Sequence, residues 1–487
     1  MKVKTLGVLA ALGMLGTSAS VWSLTARPRG AAPAVADAVP SATLPASTAS
    51  PSFQDSGPLS FEGRVGHARV RADGPGETYV LATVGAAADG ASAAAPMNLA
   101  IVVDRSGSMK GKRMQNALAA ARAMIRRLRD GDVLSVVSYS GSTETVLPST
   151  RIDESSRERA VRSLDGIVAR GETCISCGID AAMAALRAQT GMTTRILLLS
   201  DGEATSGVKD IPGFRRIAEN ARHMGCAISS VGIDTEYNER VLSALALESN
   251  GKHYFAENAS EVQVAFDKEL ASLVRTVAGD VKVSLELGPG VEVSQVFDRS
   301  FEQQGQKLTV SMGSFAAGEQ KTLLVKLRLP KGPEGELGVA TLGLSGVEPS
   351  ARAPLSASGR LSVVRTLSVI EEGLDPAVAA RLGRSASADS IEEANRLFNS
   401  GDLAAARARL KQELADVGKN KAEAAKKRPL SPGLASDFDR QAAELEKADR
   451  RLSDAPAQAK PGQKPEDSVA GKSGTKRNVE AANPFRL

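Results

Sequence analysis

Apolar and polar residues alternate with different periods in different parts of the chain. In residues 97–277, short continuous apolar runs are separated by stretches of helical spacing. One such stretch has apolar side chains at Met114, Leu118, Ala121, Ile125 and Leu128. Continuous apolar runs are typical of strands buried on both faces. The pattern therefore predicts an α/β fold, a doubly wound and mostly parallel sheet with helices on both sides.

The segments on either side of this region have a period of two, which is typical of half-buried strands. After residue 279, apolar Val281, Val283 and Leu285 alternate with polar residues, and further strands follow up to residue 367. Residues 59–95 contain too few strands to cover their own apolar face. We therefore expect them to pair with the later strands in one antiparallel sandwich that carries the α/β segment as an insertion.

A C-terminal helical segment is predicted from residue 368 to 453. Its residues 390–414 form two amphipathic helices broken at Gly401, similar to a single tetratricopeptide unit, which would serve as a packing hairpin or a peptide-binding one. The predicted organisation is a signal peptide or membrane anchor at 1–24, a disordered linker at 25–58, N-terminal strands at 59–95, the α/β domain at 96–278, the sandwich at 279–367, the helical segment at 368–453 and a disordered tail at 454–487.

The N-terminal residues indicate export. Lys2 and Lys4 precede an uncharged run over residues 5–24, which has the basic and apolar regions of a secretory signal. Small residues at 18–20 favour cleavage, but the run is also long enough to stay as a membrane anchor. We expect the protein in the periplasm, on the cell surface or secreted. The formal charge of +5 over 487 residues is small, so no nucleic-acid partner is predicted.

The candidate chemistry lies directly after the apolar run 99–103. Asp104, Ser106 and Ser108 place one carboxylate and two hydroxyls on a turn that leaves a buried strand, and Gly107 lets that turn fold tightly. Two further oxygen ligands, Thr173 and Asp201, stand on loops expected at the same edge of the sheet. Oxygen ligands of this kind suit a hard divalent ion such as Mg²⁺.

In chain order and context, these five residues over residues 96–278 resemble the von Willebrand factor type A (VWA) domain and its metal-ion-dependent adhesion site. The resemblance implies that Mg²⁺, or Mn²⁺ or Ca²⁺ in its place, is bound with one open position. An Asp or Glu carboxylate of a protein partner would fill that position, in adhesion or in assembly of an envelope complex. Glu172 and Cys174 differ from the residues that commonly flank this Thr in the family.

Two other functions remain open on the sequence. The metal could stabilise a structural scaffold, or it could serve a metal-dependent hydrolase with Glu172 or Glu203 as the base. Loop carboxylates of this kind are usually only solvated, and the three His residues form no catalytic arrangement with a Ser and an Asp. We therefore expect a binding protein and not an enzyme.

Cys174 and Cys177 directly follow Thr173, at the start of a predicted helix. In an oxidising compartment they could form a disulfide, either static or acting as a redox switch that moves Thr173, or they could remain small buried residues. Cys226 begins an apolar strand and is predicted to belong to the core.

Overall fold

A computed structural model describes residues 52–54 and 58–487, apart from residues 89–95, 187–191, 202, 350, 369–372 and 428. The predicted signal peptide or anchor at 1–24 and most of the predicted linker at 25–58 lie outside these residues. Within the described residues, no helix combines the length and the apolar character needed to cross a membrane.

The N-terminal strands are β1 (Ser52–Gln54), β2 (Leu59–Val65), β3 (Arg69–Arg71) and β4 (Gly76–Ala86). β1 falls inside the segment predicted as a disordered linker, and that part of the prediction is wrong. It pairs antiparallel with β2 from Ser52 opposite Glu62 to Gln54 opposite Ser60. Composition alone missed the strand because its backbone hydrogen bonds go to a neighbour that lies later in the chain.

The central sheet contains β5 (Met97–Asp104), β6 (Val133–Tyr139), β7 (Thr143–Arg151), β8 (Thr193–Ser200), β9 (Cys226–Ile233) and β10 (His253–Ala256). The order across the sheet is β10-β9-β8-β5-β6-β7. Every neighbouring pair is parallel except β6 with β7, which is antiparallel. All residues of β5 are buried, as its continuous apolar run predicts.

Within the described residues, six helices cover the central sheet, namely α1 (Lys112–Arg127), α2 (Glu154–Ser163), α3 (Ile175–Leu186), α4 (Ile211–His223), α5 (Glu239–Glu248) and α6 (Ala259–Val274). The buried residues of α1, α2 and α6 form one core with one face of the sheet. Those of α3, α4 and α5 form a second core with the other face, which includes Cys226. The predicted doubly wound fold is confirmed.

The later strands are β11 (Thr276–Leu287), β12 (Glu292–Val296), β13 (Glu302–Gln304), β14 (Lys307–Ala316), β15 (Gln320–Leu329), β16 (Gly335–Glu348) and β17 (Ala353–Thr366). They form two sheets with the N-terminal strands, β1-β2-β4-β15-β12 and β13-β14-β11-β16-β17-β3. β4 pairs antiparallel with β15 along ten residue pairs, from Gly85 opposite Gln320 to Gly76 opposite Leu329. Apolar side chains of both sheets share one core. The α/β domain is thus an insertion in a sandwich built from both sides of it, as the strand count predicts.

A buried ion pair lies where the central sheet meets this sandwich. The Arg195 guanidinium on β8 is 3.3 Å from the Glu269 carboxylate on α6. The same carboxylate accepts hydrogen bonds from Ser229 at 2.7 Å and Tyr254 at 2.9 Å. Arg195 also donates to the Ser314 hydroxyl on β14 at 3.4 Å, so the network links the domain to the sandwich.

Four helices complete the described chain, namely α7 (Pro376–Asn399), α8 (Leu403–Lys427), α9 (Pro432–Gln458) and α10 (Val469–Arg486). Gly401 lies between α7 and α8 with a φ of +88°, a backbone conformation that suits glycine. The predicted break between these helices is therefore at the right residue.

The prediction of a disordered tail over residues 454–487 is wrong. α9 continues to Gln458, and α10 buries Val479, Ala482 and Phe485. Several polar residues of α10 are also buried, among them two asparagines that bond to residues outside the helix. Asn478 donates to Asn395 at 2.9 Å, and Asn483 accepts from Ser243 at 3.0 Å. A polar composition predicted disorder because these partners lie far away in the sequence.

We predict that His253 makes the folded protein less stable in acid. Its ring nitrogens contact the Ser230 hydroxyl at 2.8 Å and the Tyr237 hydroxyl at 3.2 Å. Burial, and then the charge of Lys476, lowers the pKa of His253 to about 3. Below about pH 6.5, His253 is protonated in the unfolded state but stays neutral in the folded state. Its contribution to the free energy of unfolding is therefore fully present above pH 6.5 and is lost progressively as the pH falls towards 3.

This histidine should contribute a slope of about 1.4 kcal/mol per pH unit to the free energy of unfolding at mildly acidic pH. Chemical denaturation between pH 7 and pH 4.5 measures that slope in the wild type and in His253→Gln. The variant should show the shallower dependence, and His223→Gln, at an exposed position, is the matched control. Equal slopes in wild type and His253→Gln would contradict the prediction.

Candidate metal centre

The first part of the site is the turn that follows β5. Asp104 is the last residue of that strand, and its Oδ1 accepts a hydrogen bond from the Ser106 backbone N–H at 2.8 Å. A single 3₁₀ turn over Gly107–Met109 follows, and the Met109 side chain is fully buried. The buried methionine and the bond to Asp104 hold the two serines at the end of the sheet.

Hydrogen bonds join four of the five predicted ligands. The Ser106 and Ser108 hydroxyl oxygens are 3.0 Å apart, and Ser108 donates to Asp201 Oδ1 at 2.8 Å. Asp201 directly follows β8, the neighbour of β5, and is fully buried. The structure therefore brings Asp104, Ser106, Ser108 and Asp201 to one point at the carboxyl edge of the sheet.

Thr173 lies on an adjacent loop, which backbone hydrogen bonds hold against the turn. The Gly107 N–H donates to the Gly171 carbonyl at 3.0 Å, and the Arg170 N–H donates to the Arg105 carbonyl at 2.6 Å. The Thr173 N–H donates to the Thr205 hydroxyl at 2.8 Å. Among the described residues, the Thr173 hydroxyl makes no hydrogen bond to the other four ligands, so its loop joins the site through the backbone.

Sequence reasoning missed three side chains that complete the surroundings of the site. Ser200, the last residue of β8, donates to Asp104 Oδ2 at 2.8 Å, and Tyr139, the last residue of β6, donates to the same oxygen at 3.1 Å. Arg113 on α1 donates to Asp201 Oδ2 at 3.0 Å. A polar residue at the end of a buried strand was the available signal for Ser200 and Tyr139. Arg113 had none, because its place in the pattern is that of an ordinary exposed position of a helix.

The Asp104 carboxylate is buried, and the described residues offer it no cationic partner. Burial raises the pKa of Asp104 to about 6, the hydrogen bonds from Ser106 and Ser200 oppose that rise, and the charge of Asp201 adds to it. Burial likewise raises the pKa of Asp201, although Ser108 and Arg113 lower it in part. Within the described chain, no Lys or Arg forms an ion pair with Asp104. A bound cation would supply the missing positive charge.

The donor set fits a hard divalent cation. Two carboxylates and two hydroxyls converge, and a third hydroxyl stands on the neighbouring loop; all are oxygen donors of the kind that Mg²⁺ prefers. Among the described residues there is no cluster of three or more His, Cys, Asp or Glu side chains that could hold a metal. Metal binding at this edge would therefore depend on the serine and threonine hydroxyls.

Cys174 and Cys177 form a disulfide at the start of α3. The bond packs against a second loop, because Gly207 approaches closely enough that an added Cβ would lie 2.5 Å from the Cys174 sulfur. The Thr205 and Ser206 N–H groups of that second loop donate to the Thr173 carbonyl at 2.9 and 3.2 Å. The disulfide thus belongs to the layer that supports the Thr173 loop.

The two glutamates considered as bases, Glu172 and Glu203, are both exposed. The buried His253 lies on β10, where its ring is bound by Ser230 and Tyr237. The structure therefore leaves both predicted bases in solvent.

These features define a class of protein, a doubly wound α/β domain with an oxygen-rich site at the carboxyl edge of its sheet. Residues 98–268 match the family model of the von Willebrand factor type A domain. These residues therefore form a VWA domain, as the motif order predicted.

Relatives by sequence match about half of this chain. Uncharacterized protein YfbK of Escherichia coli (strain K12) is 29% identical over 245 residues, which cover 48% of this chain and 42% of that protein. The E3 ubiquitin-protein ligase WAV3 of Arabidopsis thaliana is 26% identical over 249 residues, covering 48% of this chain and 31% of that protein. The alignments thus span less than half of either relative.

The fold resembles solved structures over a larger part of the chain. A von Willebrand factor type A protein from Catenulispora acidiphila has a TM-score of 0.64 at 19% identity, covering 82% of this chain and 92% of that one. The ArnB paralog VWA2 from Sulfolobus acidocaldarius has a TM-score of 0.56 at 14% identity, covering 88% and 99%. At these identities the likeness concerns the fold.

We predict that the close approach at Gly207 is needed for stability. Its φ is +71°, and an alanine Cβ would also lie 2.5 Å from the Ser176 hydroxyl. Gly207→Ala should therefore lower the free energy of unfolding by ~2 kcal/mol, through backbone strain and the clash together. Gly166→Ala is the matched control, because a Cβ added at that glycine would meet no heavy atom within 4 Å. Thermal unfolding compares the two, and equal midpoints would contradict the prediction.

Proposed function

We propose that the protein binds a divalent cation, Mg²⁺ in the first instance, through Asp104, Ser106, Ser108, Thr173 and Asp201. The observation that carries this proposal is the chain of hydrogen bonds that gathers four of these side chains around a buried, uncompensated carboxylate. The VWA fold supports it, because such domains commonly bind a metal at this edge.

The bound cation would serve as a receptor for a partner protein. Three of the five ligands are neutral hydroxyls, so the protein would supply no more than two negative charges to the ion. An open position on the ion could then accept a further anionic ligand. An Asp or Glu carboxylate of a partner has the right charge and the right donor atom. The protein's own residues would hold the ion and orient its open side towards solvent.

We further propose that the site binds without catalysing a reaction. A hydrolase would need a general base within hydrogen-bond reach of a metal-bound water. Glu172 and Glu203 are exposed loop residues, and the ligands themselves are engaged in the hydrogen-bonded cluster. The basic and apolar residues of the N-terminal segment support export, in keeping with adhesion or with assembly of an envelope complex.

Calorimetric titration with Mg²⁺ tests the metal site. The wild type should bind with millimolar or tighter affinity, and Ser108→Ala should weaken binding by about tenfold or more, since it removes a proposed ligand. Asp104→Asn should abolish binding at the same concentrations. Ser135→Ala is the matched control, because Ser135 is a buried serine of β6 whose hydroxyl has no hydrogen-bond partner among the described residues. Absence of Mg²⁺ binding in the wild type, with or without acidic peptides, would favour a structural scaffold.

The same variants test the mode of partner binding. Acidic peptides immobilised on beads should retain the wild type with Mg²⁺ and release it when a chelator is added, and Ser108→Ala should not be retained. Retention that is independent of both Mg²⁺ and Ser108 would contradict the proposed receptor role. Turnover of an ester or phosphoester that Asp104→Asn abolishes would contradict the proposal of binding without catalysis.

A further inference from the structure

Arg113 lies between the candidate metal ligand Asp201 and a second carboxylate, Asp234. Its Nη1 is 3.0 Å from Asp201 Oδ2, while its Nε and Nη2 are 2.8 and 2.7 Å from Asp234 Oδ2. Burial disfavours the charge of this guanidinium, but Asp234 and Asp201 outweigh that effect and raise the pKa of Arg113. The arginine is therefore positively charged, and it forms a hydrogen bond to one carboxylate oxygen of the proposed metal ligand Asp201.

A cation at the proposed site would share Asp201 with this guanidinium. Asp201 is fully buried, and its other oxygen is already bonded to Ser108. A positive charge a few ångströms from a divalent cation also repels it, and more strongly where water is excluded. Both effects oppose metal binding. Asp234 acts in the opposite direction, because it holds Arg113 from the other side.

The position of Asp234 is set by the loop that contains it. Its φ is +66°, its N–H donates to the Ala256 carbonyl at 2.9 Å, and the chain then runs on to α5. Two lysines of the C-terminal helix α10 bond to this loop and to the start of α5. Lys472 is 3.1 Å from the Glu236 carboxylate, and Lys476 donates at 2.9 Å to both the Tyr237 carbonyl and the Glu239 carboxylate.

We propose that Arg113 is a positioning residue that lowers the affinity of the metal site by sharing Asp201, and that α10 controls this effect through the loop that presents Asp234. The proposal rests on the metal site proposed above. It adds a connection between that site and a helix outside the VWA domain.

Opposite changes in Mg²⁺ affinity test the role of Arg113. Arg113→Gln should bind Mg²⁺ about tenfold more tightly than the wild type, because a competing positive charge is removed. Asp234→Asn should bind more weakly, since Asp201 then becomes the only carboxylate among the described residues that pairs with Arg113. In the double variant, the effect of Asp234→Asn should be smaller than in the wild-type background, because the part that acts through Arg113 is removed.

Two controls make the result specific. Arg122 lies on the same helix as Arg113, and its side chain has the same exposure of 28%. Arg122→Gln removes an ion pair of 2.7 Å to Asp165, which is not a candidate metal ligand. It should leave the affinity unchanged. Arg113→Lys keeps the charge and should bind Mg²⁺ like the wild type. Thermal unfolding of each variant shows that it is folded before its affinity is compared.

Hydrogen exchange tests the connection to α10. Addition of Mg²⁺ to the wild type should change amide exchange in residues 469–486, and the change should be absent in Arg113→Gln. Because coupling between sites is reciprocal, Lys476→Met should also shift the Mg²⁺ affinity. If the wild type binds Mg²⁺ but Arg113→Gln and Arg122→Gln match it, this inference is wrong and the metal site stands. If the wild type does not bind Mg²⁺, the metal site itself is wrong.

Discussion

The site depends on the burial and register of the central strand β5. It lies between β6 and β8, and its parallel pairing sets Asp104 opposite Tyr139 and Val103 opposite Leu199. Because all three strands end at the same edge, the residues that terminate them meet there. A shift of one residue would turn Asp104 to the other face of the sheet and separate it from its donors. Strand packing thus places the carboxylates before any metal is considered.

The cost of that placement is a buried charge. Among the described residues, Asp104 has hydroxyl and N–H donors but no cationic partner, and its pKa is raised to about 6, whereas Asp201 is bonded to Arg113. A protein tolerates such a pair of neighbouring carboxylates when a cation is available to compensate them. The proposed Mg²⁺ supplies the compensation for one acid, and Arg113 supplies it for the other. The proposed affinity is the balance of these two positive charges.

Two parts of the chain outside the VWA domain contact it. The sandwich contains strands from before and after the insertion. Arg195 of the VWA domain donates a hydrogen bond to Ser314 of the sandwich. The helix α10 returns to the domain from the far end of the chain, where Lys476 and Asn483 contact α5 and the preceding loop. Long-range polar contacts of this kind give the proposed metal site a physical route to the rest of the molecule.

The sequence by itself determined the α/β domain, the strand pairing across the insertion and the five candidate ligands, because short-range apolar periods and residue order specify strands and the edge at which they end. Only the tertiary structure decided that residues 469–486 form a helix, that Ser52–Gln54 is a strand and that Arg113 donates a hydrogen bond to Asp201. Each of these depends on partners far away in sequence. The free energy of such a contact depends on both residues together, so it cannot be predicted from the local sequence around either one.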